Sequence, residues 1–261
     1  MRILGLVGPK GSGKDTTADL LEELKISDGK ISFAGPLKKI CGEVFDLHHN
    51  FFHDVNLKEK PLKQTITLNS RNLRLIKNAC VEWLDPYTDG GTRILYNPNK
   101  ASISGIEGME ITTPRQLLQV IGTNFIRDRL FNEWHLHAAF SDKALSKLKE
   151  NGIYCVTDVR FPNEYEFLRN KFGSDFKGFY IQRPEAEHKL AQATHPSETE
   201  VVKVKNAMGE EAMILKNDGT VEDLKNMLKT LDLQKEKDSK PTATKRKSRF
   251  VYVEKNGKSG N

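Results

Sequence analysis

Residues 3–15, ILGLVGPKGSGKD, decide the fold of this 261-residue chain. The apolar run Ile3–Val7 ends in glycine, a pattern typical of a buried parallel strand. From Lys14 onward, apolar residues recur three apart with acidic residues between them, a spacing that predicts a helix. A glycine-rich loop therefore joins the first strand to the first helix.

The loop Gly8–Lys14 has the glycine and lysine spacing of the Walker A motif. In that motif, glycines let backbone N–H groups point at phosphates, the helix N-terminus adds its positive dipole end, and the lysine reaches the terminal phosphates. Short patterns of this kind also arise by chance. Here the loop directly follows a strand and opens a helix, as the motif requires, so the sequence predicts phosphate binding.

The residue after the lysine departs from the motif, which has Ser or Thr at that position. Asp15 stands there, followed by Thr16. A carboxylate is an oxygen ligand that suits Mg²⁺, either directly or through water. An acid in the first turn of a helix is also favoured by the helix dipole without any metal. Both interpretations of Asp15 stay open from the sequence.

Predicted strands and helices alternate along the rest of the chain, which is the pattern of an α/β fold with a parallel sheet. Further strands are predicted at residues 31–33, 153–156, 178–182 and 213–215, and helices at 36–44, 114–122, 132–140, 142–150, 163–172 and 221–231. Helical periodicity fails over 46–113, which we interpret as an inserted, partly irregular segment. Residues 184–201 are predicted to form a polar loop.

Composition argues against an integral membrane protein. Hydrophobic residues make up 37% of the chain and charged residues 29%, and no stretch approaches the roughly 20 apolar residues of a spanning helix. The three cysteines, Cys41, Cys80 and Cys155, lie far apart in no paired spacing. This usage predicts a reduced cytoplasmic protein without a zinc site, in the host cytoplasm if the chain is viral.

The basic character of the chain is confined to its C-terminal segment. Residues 234–261 contain nine basic and three acidic residues, and the rest of the chain is balanced. We predict one domain over 1–233 and a disordered basic tail over 234–261. The tail either contacts nucleic acid or a replication complex weakly or is simply solvated. A nucleic-acid-binding fold normally has its basic footprint on the folded domain, and this one does not.

Six motifs stand in a fixed order: Gly11–Asp15, Ala34–Lys38, Arg115–Thr123, Asp158–Arg160, Arg183–Pro184 and Asn217–Thr220. In this order they resemble the deoxynucleoside monophosphate kinase of tailed bacteriophages, within the P-loop nucleoside monophosphate kinase superfamily. The resemblance spans nearly all of residues 1–231, is weakest over 46–113, and includes the unusual Lys14-Asp15 pair. Animal-type phosphomevalonate kinase is similar in the first two motifs and around Asp158.

The resemblance implies a three-layer P-loop fold with an inserted acceptor-binding segment over 46–113 and a lid over 184–200. It implies ATP and Mg²⁺ as cofactors, and Asp15 is the candidate metal ligand, directly or through water. The residues implied to bind ATP are Gly11, Ser12, Gly13, Lys14, Asp15, Thr16, Thr17, Arg183, Asn217 and Gly219. Those implied to act in catalysis are Lys14, Arg115, Asp158 and Arg160.

The resemblance also implies an acceptor site for deoxynucleoside monophosphates. Its members are Lys10, Gly35, Pro36, Leu37, Lys38, Arg115, Gln119, Gly122, Thr123 and Trp134. Arg115 is expected to pair with the acceptor phosphate, because a guanidinium fork matches phosphate oxygens. Gln119 and Thr123 are expected to face the acceptor base or sugar.

These roles compete with structural interpretations of the same residues. Arg115 fits a surface helix, and Asp158 fits a cap on the next turn. Arg160 could pair with Glu164 on a helix surface, and Trp134 could belong to the core. The sequence does not decide among them.

The function that the sequence favours is ATP-dependent phosphorylation of deoxynucleoside monophosphates to diphosphates. The alternatives are a kinase for a non-nucleotide phosphate, such as phosphomevalonate, and a nucleotide-binding interaction protein with a basic tail. A mere nucleotide sensor would not need the additional arginines at 115 and 160. The range of deoxynucleotides accepted and the oligomeric state, including a homodimer, stay open.

Overall fold

The computed structural model describes residues 1–84, 103–190, 196–209 and 212–231. The predicted tail over 234–261 therefore lies outside the described residues. Two compact units are present, which we name the sheet unit, the described residues of 1–32 and 149–231, and the helical unit, those of 33–148. In the described part of the chain, no helix has the length and apolar character needed to cross a membrane.

The elements alternate along the chain as follows. The strands are β1 (Arg2–Val7), β2 (Gly29–Ile31), β3 (Ile66–Thr67), β4 (Glu110–Ile111), β5 (Ile153–Val159), β6 (Phe176–Gln182) and β7 (Met213–Lys216). The α-helices are α1 (Lys14–Glu23), α2 (Gly35–Phe45), α3 (Asn50–His53), α4 (Val55–Glu59), α5 (Ser70–Glu82), α6 (Pro114–Gln119), α7 (Trp134–Ala139), α8 (Asp142–Leu145), α9 (Pro162–Phe172), α10 (Pro184–Leu190), α11 (Pro196–Met208) and α12 (Val221–Lys229). A π-helical segment covers Val120–Leu130, and a 3₁₀ turn covers Gly173–Asp175.

The sheet unit is built on a five-stranded parallel sheet in the order β2-β5-β1-β6-β7. β1 is its central strand, and Ile3–Val7 are buried along the whole length. A strand with neighbours on both edges and helices on both faces has to be apolar throughout, which explains the continuous apolar run in the sequence. The predicted α/β fold with a parallel sheet is confirmed.

Helices cover both faces of this sheet. Leu4 and Leu6 of β1 belong to a core that α1 and α12 complete. On the other face, α9 and α11 contact β1 and each other. This layering places the loop that leaves β1 at the carboxyl edge of the sheet, where open α/β folds bind their ligands.

The helical unit has its own core. The cluster joins α2, α5, α6 and α7 through fully buried side chains that include Ile40, Leu73, Leu117 and Trp134. A short antiparallel pair of β3 and β4 lies beside it. With this many buried apolar residues, the helical unit has a hydrophobic core of its own.

Several sequence predictions about local structure were wrong. The region over 46–113 contains α5, a 13-residue helix that begins with an Asn69–Asn72 capping box. Its buried residues Leu73, Ile76 and Cys80 form a narrow face, and the exposed Leu75 and Val81 blur the apolar periodicity of the sequence. The helix predicted to end near Gly122 continues as the π-helical segment to Leu130, and the predicted polar loop contains α10 and the start of α11.

Two predicted element bounds were also wrong. The helix expected over 142–150 is only the single turn Asp142–Leu145. The second strand lies at Gly29–Ile31 rather than 31–33, and Phe33 is instead buried in the helical unit, where its ring meets those of His135 and Phe140 edge-on. An apolar triplet does not distinguish a strand from the residue that follows it.

Trp134 is predicted to stabilise the helical unit through a specific hydrogen bond. Its indole N–H donates to the carbonyl of Cys80 at 2.9 Å, and only 1% of the residue is exposed. That carbonyl lies in the last turn of α5, where backbone acceptors lack helical partners. Trp134→Phe should reduce the free energy of unfolding by about 1–3 kcal/mol, because a buried acceptor loses its donor.

Urea unfolding measures this loss, with Trp83→Phe as the matched control. Trp83 is also largely buried, but Lys39 and Lys143 contact its ring face rather than its N–H. Equal losses in the two variants would contradict the assigned role of the Trp134 hydrogen bond.

Candidate active site

The phosphate-loop candidate lies between β1 and α1, at the carboxyl end of the central strand. Gly8, Gly11 and Gly13 all have positive φ angles, of 151°, 81° and 97°. At Gly13 an added Cβ would lie 2.4 Å from the Asn217 amide nitrogen, so both backbone angle and space require glycine there. At Gly11 the space is open. The glycines thus give the loop its tight curvature.

Lys14 turns its ammonium group back toward this loop. Its Nζ donates to the carbonyls of Gly8 at 2.6 Å and of Pro9 at 2.8 Å, and the residue is 8% exposed. The hydroxyl of Ser12 is buried without a hydrogen-bond partner among the described residues. A buried hydroxyl without a partner is costly, and a ligand that accepts or donates there would remove this penalty.

Asn217, which directly follows the edge strand β7, contacts the phosphate loop. Its side-chain amide donates to the carbonyl of Ser12 at 2.8 Å, and the residue is 7% exposed. Its own N–H donates to the carbonyl of Gln182 at 2.7 Å. The residue after β7 therefore fixes the loop after β1 across the intervening strand β6.

Asp158 lies near the end of β5, the strand that neighbours β1. Val7 and Val159 are register partners, so Asp158 and the phosphate loop share the carboxyl edge of the sheet. One carboxylate oxygen of Asp158 accepts a hydrogen bond from the Ser32 hydroxyl at 2.7 Å. This is the position expected for the acid that follows the neighbouring strand in a P-loop protein.

The backbone after Asp158 is fixed by Glu164. One oxygen of its carboxylate accepts from the N–H groups of Arg160 at 2.7 Å and Phe161 at 3.0 Å. Only 4% of Glu164 is exposed. Glu164 thus binds the backbone N–H of Arg160, rather than only pairing with its side chain on the helix surface as one alternative from the sequence had it.

Arg183 follows β6 directly and opens α10. Its Nε donates to the carboxylate of Glu185 at 3.2 Å, and both side chains are partly exposed. Its carbonyl accepts from the N–H groups of Ala186 and Glu187, which starts the helix. An exposed pair of this kind is weak, so Arg183 is available to other anions.

The helices that follow β6 are tied to the sheet by Glu187. This carboxylate accepts from the Tyr180 hydroxyl and the Gln182 amide, each at 3.2 Å, and from the Lys205 ammonium at 3.3 Å. Lys205 also lies over the Tyr180 ring, 4.3 Å from its centre. Burial, with the adjacent carboxylate of Glu187, raises the pKa of Tyr180. The contacts connect α10 and α11 to β6.

The remaining loop residues differ in exposure. Lys10, Asp15 and Thr16 are exposed, whereas Thr17 is buried and its hydroxyl donates to the Gly13 carbonyl at 2.8 Å. No cluster of three or more metal-ligating side chains occurs within the described ranges. Mg²⁺ in kinases is usually held by one or two carboxylates together with substrate phosphates. The oxygen donors Asp15, Thr16 and Asp158 fit that requirement.

In the helical unit, Arg115 is the basic residue predicted to meet the acceptor phosphate. It lies in the first turn of α6, and its Nε donates to the carboxylate of Glu59 at the end of α4. Both side chains are about half exposed. The contact orients the guanidinium and leaves its terminal nitrogens for further hydrogen bonds. Gln119 and Thr123 are exposed farther along the same helix.

The predicted acceptor residues at the start of α2 also lie in the helical unit. Pro36 is buried at the first turn of α2, and Gly35, Leu37 and Lys38 are half-buried. A Cβ on Gly122 would lie 2.7 Å from the end of the Leu37 side chain. Gly122 therefore allows the π-helical segment to approach α2 closely.

Trp134 and the cysteines belong to the interior rather than to an exposed surface. The burial of Trp134 and its bond to Cys80 favour the core interpretation over base stacking. Burial raises the pKa of the Cys155 thiol to about 11 and that of Cys41 and Cys80 further. Such thiols are protonated and inert near neutral pH, which disfavours thiol chemistry.

Comparison with known proteins assigns the chain to a family. The family model for deoxynucleotide monophosphate kinase matches residues 2–228. This chain belongs to that family. It is therefore a phosphotransferase that phosphorylates deoxynucleoside monophosphates, and the predicted family, fold and activity are confirmed.

Two viral proteins are similar to this kinase over most of their length. One, from Acanthamoeba polyphaga mimivirus and named a candidate deoxynucleotide monophosphate kinase, is 28% identical over 233 residues, covering 85% of this chain and 92% of its own. The other, the deoxynucleoside-5'-monophosphate kinase of Escherichia phage T5, is 26% identical over 217 residues, covering 76% of this chain and 84% of its own. Neither comparison favours phosphomevalonate kinase.

Sequence reasoning missed three residues around the site of this kinase. Ser32 and Glu59 contact Asp158 and Arg115 over separations of 126 and 56 residues, so no local pattern marks them. Glu164 was considered only as a surface partner. Its spacing of three residues from Phe161, with Pro162 between, is the helix-start signal that could have identified it.

Asn217→Ala is predicted to loosen the phosphate loop of this kinase. The change removes the donor to the Ser12 carbonyl and leaves that buried acceptor unsatisfied. We expect the KM for the phosphate donor to rise about tenfold or more, because a displaced loop loses part of its pre-formed geometry. Steady-state kinetics with varied donor concentration measure this effect.

Asp218→Ala is the control, since Asp218 is exposed in the same turn. It should leave the donor KM within about twofold of the unmodified enzyme, as expected for surface substitutions. A similar rise in both variants would contradict the bracing role of Asn217.

Proposed function

We propose that this kinase transfers the γ-phosphoryl group of ATP, with Mg²⁺, to several deoxynucleoside monophosphates. The observation that carries this proposal is the loop between β1 and α1, with its three glycines of positive φ and its inward Lys14. Such a loop presents backbone N–H groups and a cation to phosphate oxygens. The donor identity, the metal and the individual residue roles are the proposed parts.

On the donor side, residues 11–17 would bind the phosphates of ATP. Lys14 would exchange its contacts with the Gly8 and Pro9 carbonyls for phosphate oxygens, and the Ser12 hydroxyl would gain a partner. Asn217 would act by bracing the loop, and Gly219 would lie in the turn near the base. Arg183, whose exposed ion pair is weak, would contact the donor phosphates.

Asp15 and Asp158 are the acids that fit Mg²⁺. Both supply carboxylate oxygens, and Thr16 supplies a neighbouring hydroxyl. The ion, when bound, neutralises phosphate charge and aligns the oxygens of the donor. The Ser32 hydroxyl would position Asp158 by donating a hydrogen bond to one of its carboxylate oxygens.

On the acceptor side, Arg115 would bind the monophosphate. Its contact with Glu59 uses Nε and leaves the terminal nitrogens for the bidentate geometry that guanidinium groups make with phosphate. The same site would include Lys10, Gly35, Pro36, Leu37 and Lys38. It would also include Gln119 at the end of α6, Gly122 and Thr123 of the π-helical segment, and Trp134. Trp134 would then support the site as a core residue.

The chemistry asked of the chain is mainly charge neutralisation and alignment. Phosphoryl transfer spreads negative charge over the equatorial oxygens of the moving group, and positioned cations stabilise it. Lys14, Arg115 and Arg160 would supply those cations, with the backbone of Arg160 held by Glu164. Residues 184–200 stay a proposed lid that would exclude water from the transfer; residues 191–195 lie outside the described residues.

Activity toward several deoxynucleotides is the first test. Coupled assays with dAMP, dGMP, dCMP or dTMP, ATP and Mg²⁺ should show turnover of more than one acceptor, and excess EDTA should abolish it. Phosphomevalonate serves as the control acceptor and should give none. Turnover of a single deoxynucleotide would contradict the proposed range, and EDTA-resistant turnover would contradict the metal.

Separate substitutions test the donor and acceptor assignments. Lys14→Ala should lower kcat about 100-fold or more, because it removes a cation that stabilises the transition state. Arg115→Ala should chiefly raise the acceptor KM, about tenfold, which corresponds to about 1.4 kcal/mol of binding. Initial rates with each substrate varied in turn distinguish the two effects.

Glu59→Gln and Lys147→Ala are the controls for these variants. Glu59→Gln keeps an amide oxygen that can still accept the hydrogen bond from Nε of Arg115 and removes only the negative charge, so the acceptor KM should not rise. Lys147 is an exposed lysine, and its loss should change neither constant. Interchanged effects of the Lys14 and Arg115 substitutions would show that the donor and acceptor assignments are reversed.

Three further parts of the proposal rest on sequence alone. The tail over 234–261 would make weak contacts with nucleic acid or a replication complex through its basic residues. A cytoplasmic location and a homodimer are compatible with the activity.

A further inference from the structure

The helical unit contains a cavity that none of the proposed site residues lines. Its volume is about 330 Å³, within the range of small-molecule pockets, roughly 300–1,000 Å³. Arg71, Arg74 and Lys77 of α5 form one wall. Leu73 and Phe125 are fully buried at its base, and the half-buried Ile103 lies at its side.

The wall formed by α5 is strongly cationic. Arg71, Arg74 and Lys77 are spaced three residues apart, so they lie along one side of the helix. Their side chains make no ion pair or hydrogen bond with any residue that the structure describes, and no described lining residue is acidic. Ser70, which also lines the cavity, donates its N–H to the carboxylate of Glu107 at the start of α5.

A shared anion would stabilise this arrangement of cations. Like charges three residues apart on a helix repel one another, and each would be stabilised by a shared anion. The five N–H donors of each arginine also suit phosphate oxygens, and a guanidinium plane stacks on flat rings. The wall therefore fits a ligand with several negative charges and a planar group.

The cavity and the proposed acceptor residues use different positions of the π-helical segment. Phe125 of the π-helical segment lies beneath the wall of α5. Gly122, on the same segment, meets Leu37 of α2 instead. The segment thus contributes one side to the acceptor residues and another to the cavity.

We propose that this cavity is a second nucleotide site, in which Arg71, Arg74 and Lys77 bind the polyphosphate of a nucleoside triphosphate. Ile103 and the arginine planes contact its base. Its lining residues include none of the phosphate loop, and in this proposal the site does not take part in phosphoryl transfer.

A small nucleotide fits these observations better than a nucleic acid strand does. The cations form one wall of a pocket that also has apolar lining residues, whereas single-stranded nucleic acids are normally bound along extended basic grooves with aromatic stacking platforms. The three cations are also confined to two turns of one helix, which matches a short polyphosphate group rather than a longer backbone.

Methyl NMR of the full chain tests the proposal at the cavity itself. Titration with dTTP should shift the methyl signals of Ile103 and Leu73, and inorganic tripolyphosphate should do so with at least tenfold weaker affinity. The variant Arg71→Gln/Arg74→Gln/Lys77→Gln should weaken the dTTP response at these methyls at least tenfold. Its turnover of deoxynucleoside monophosphates, without added dTTP, should be unchanged.

The matched control is Lys63→Gln/Lys147→Gln/Arg169→Gln, which removes the same charge from three exposed positions. It should keep the full dTTP response. The proposal is overturned if both variants weaken dTTP binding equally, or if dTMP shifts the same methyls at lower concentration than dTTP. Tighter binding of a single-stranded 12-mer than of dTTP would likewise overturn it, in favour of a nucleic-acid surface.

Discussion

The hydrogen bond from the Asn217 amide to the Ser12 carbonyl is the contact on which the phosphate loop depends. It connects two loops 205 residues apart, each of which follows a strand of the same parallel sheet. The order of the sheet places β6 between those strands, so the bond closes the carboxyl edge across it. Gly13 has to lack a side chain because that amide occupies the space. The curvature of the phosphate loop therefore depends on the strand order that brings Asn217 beside it.

Several polar groups near the loop are held in place by supporting hydrogen bonds. Ser32 holds one oxygen of Asp158, and Glu164 holds the backbone at Arg160. Lys14 donates to two loop carbonyls. These are neutral acceptors, so the ammonium group can exchange them for the more strongly charged oxygens of a phosphate. Fixed supporting contacts of this kind reduce the rearrangement that transfer requires. Arg115 is likewise held by a supporting contact, because Glu59 pairs with its Nε.

Cations in this kinase fall into two groups according to their partners. Lys14 and Arg115 have neighbours that orient them, whereas the cations of α5 face a cavity without any acid among its described lining residues. The first group belongs to motifs that a sequence reveals. The second became visible only when α5 was seen to turn three basic residues toward Phe125, in a region whose periodicity had suggested irregular structure.

The sequence by itself determined the central strand, the phosphate loop, the first helix and the family, because each depends on short-range patterns of apolar residues and glycines. It also predicted the acids and bases that follow the strands. Only the tertiary structure decided that Asn217 braces Ser12, that Ser32 contacts Asp158, that Glu59 pairs with Arg115 and that Trp134 is a core residue. These contacts join residues 54 to 205 positions apart. Local propensity is set within a few residues along the chain, whereas such pairs form only once strand order and helix packing bring distant segments together.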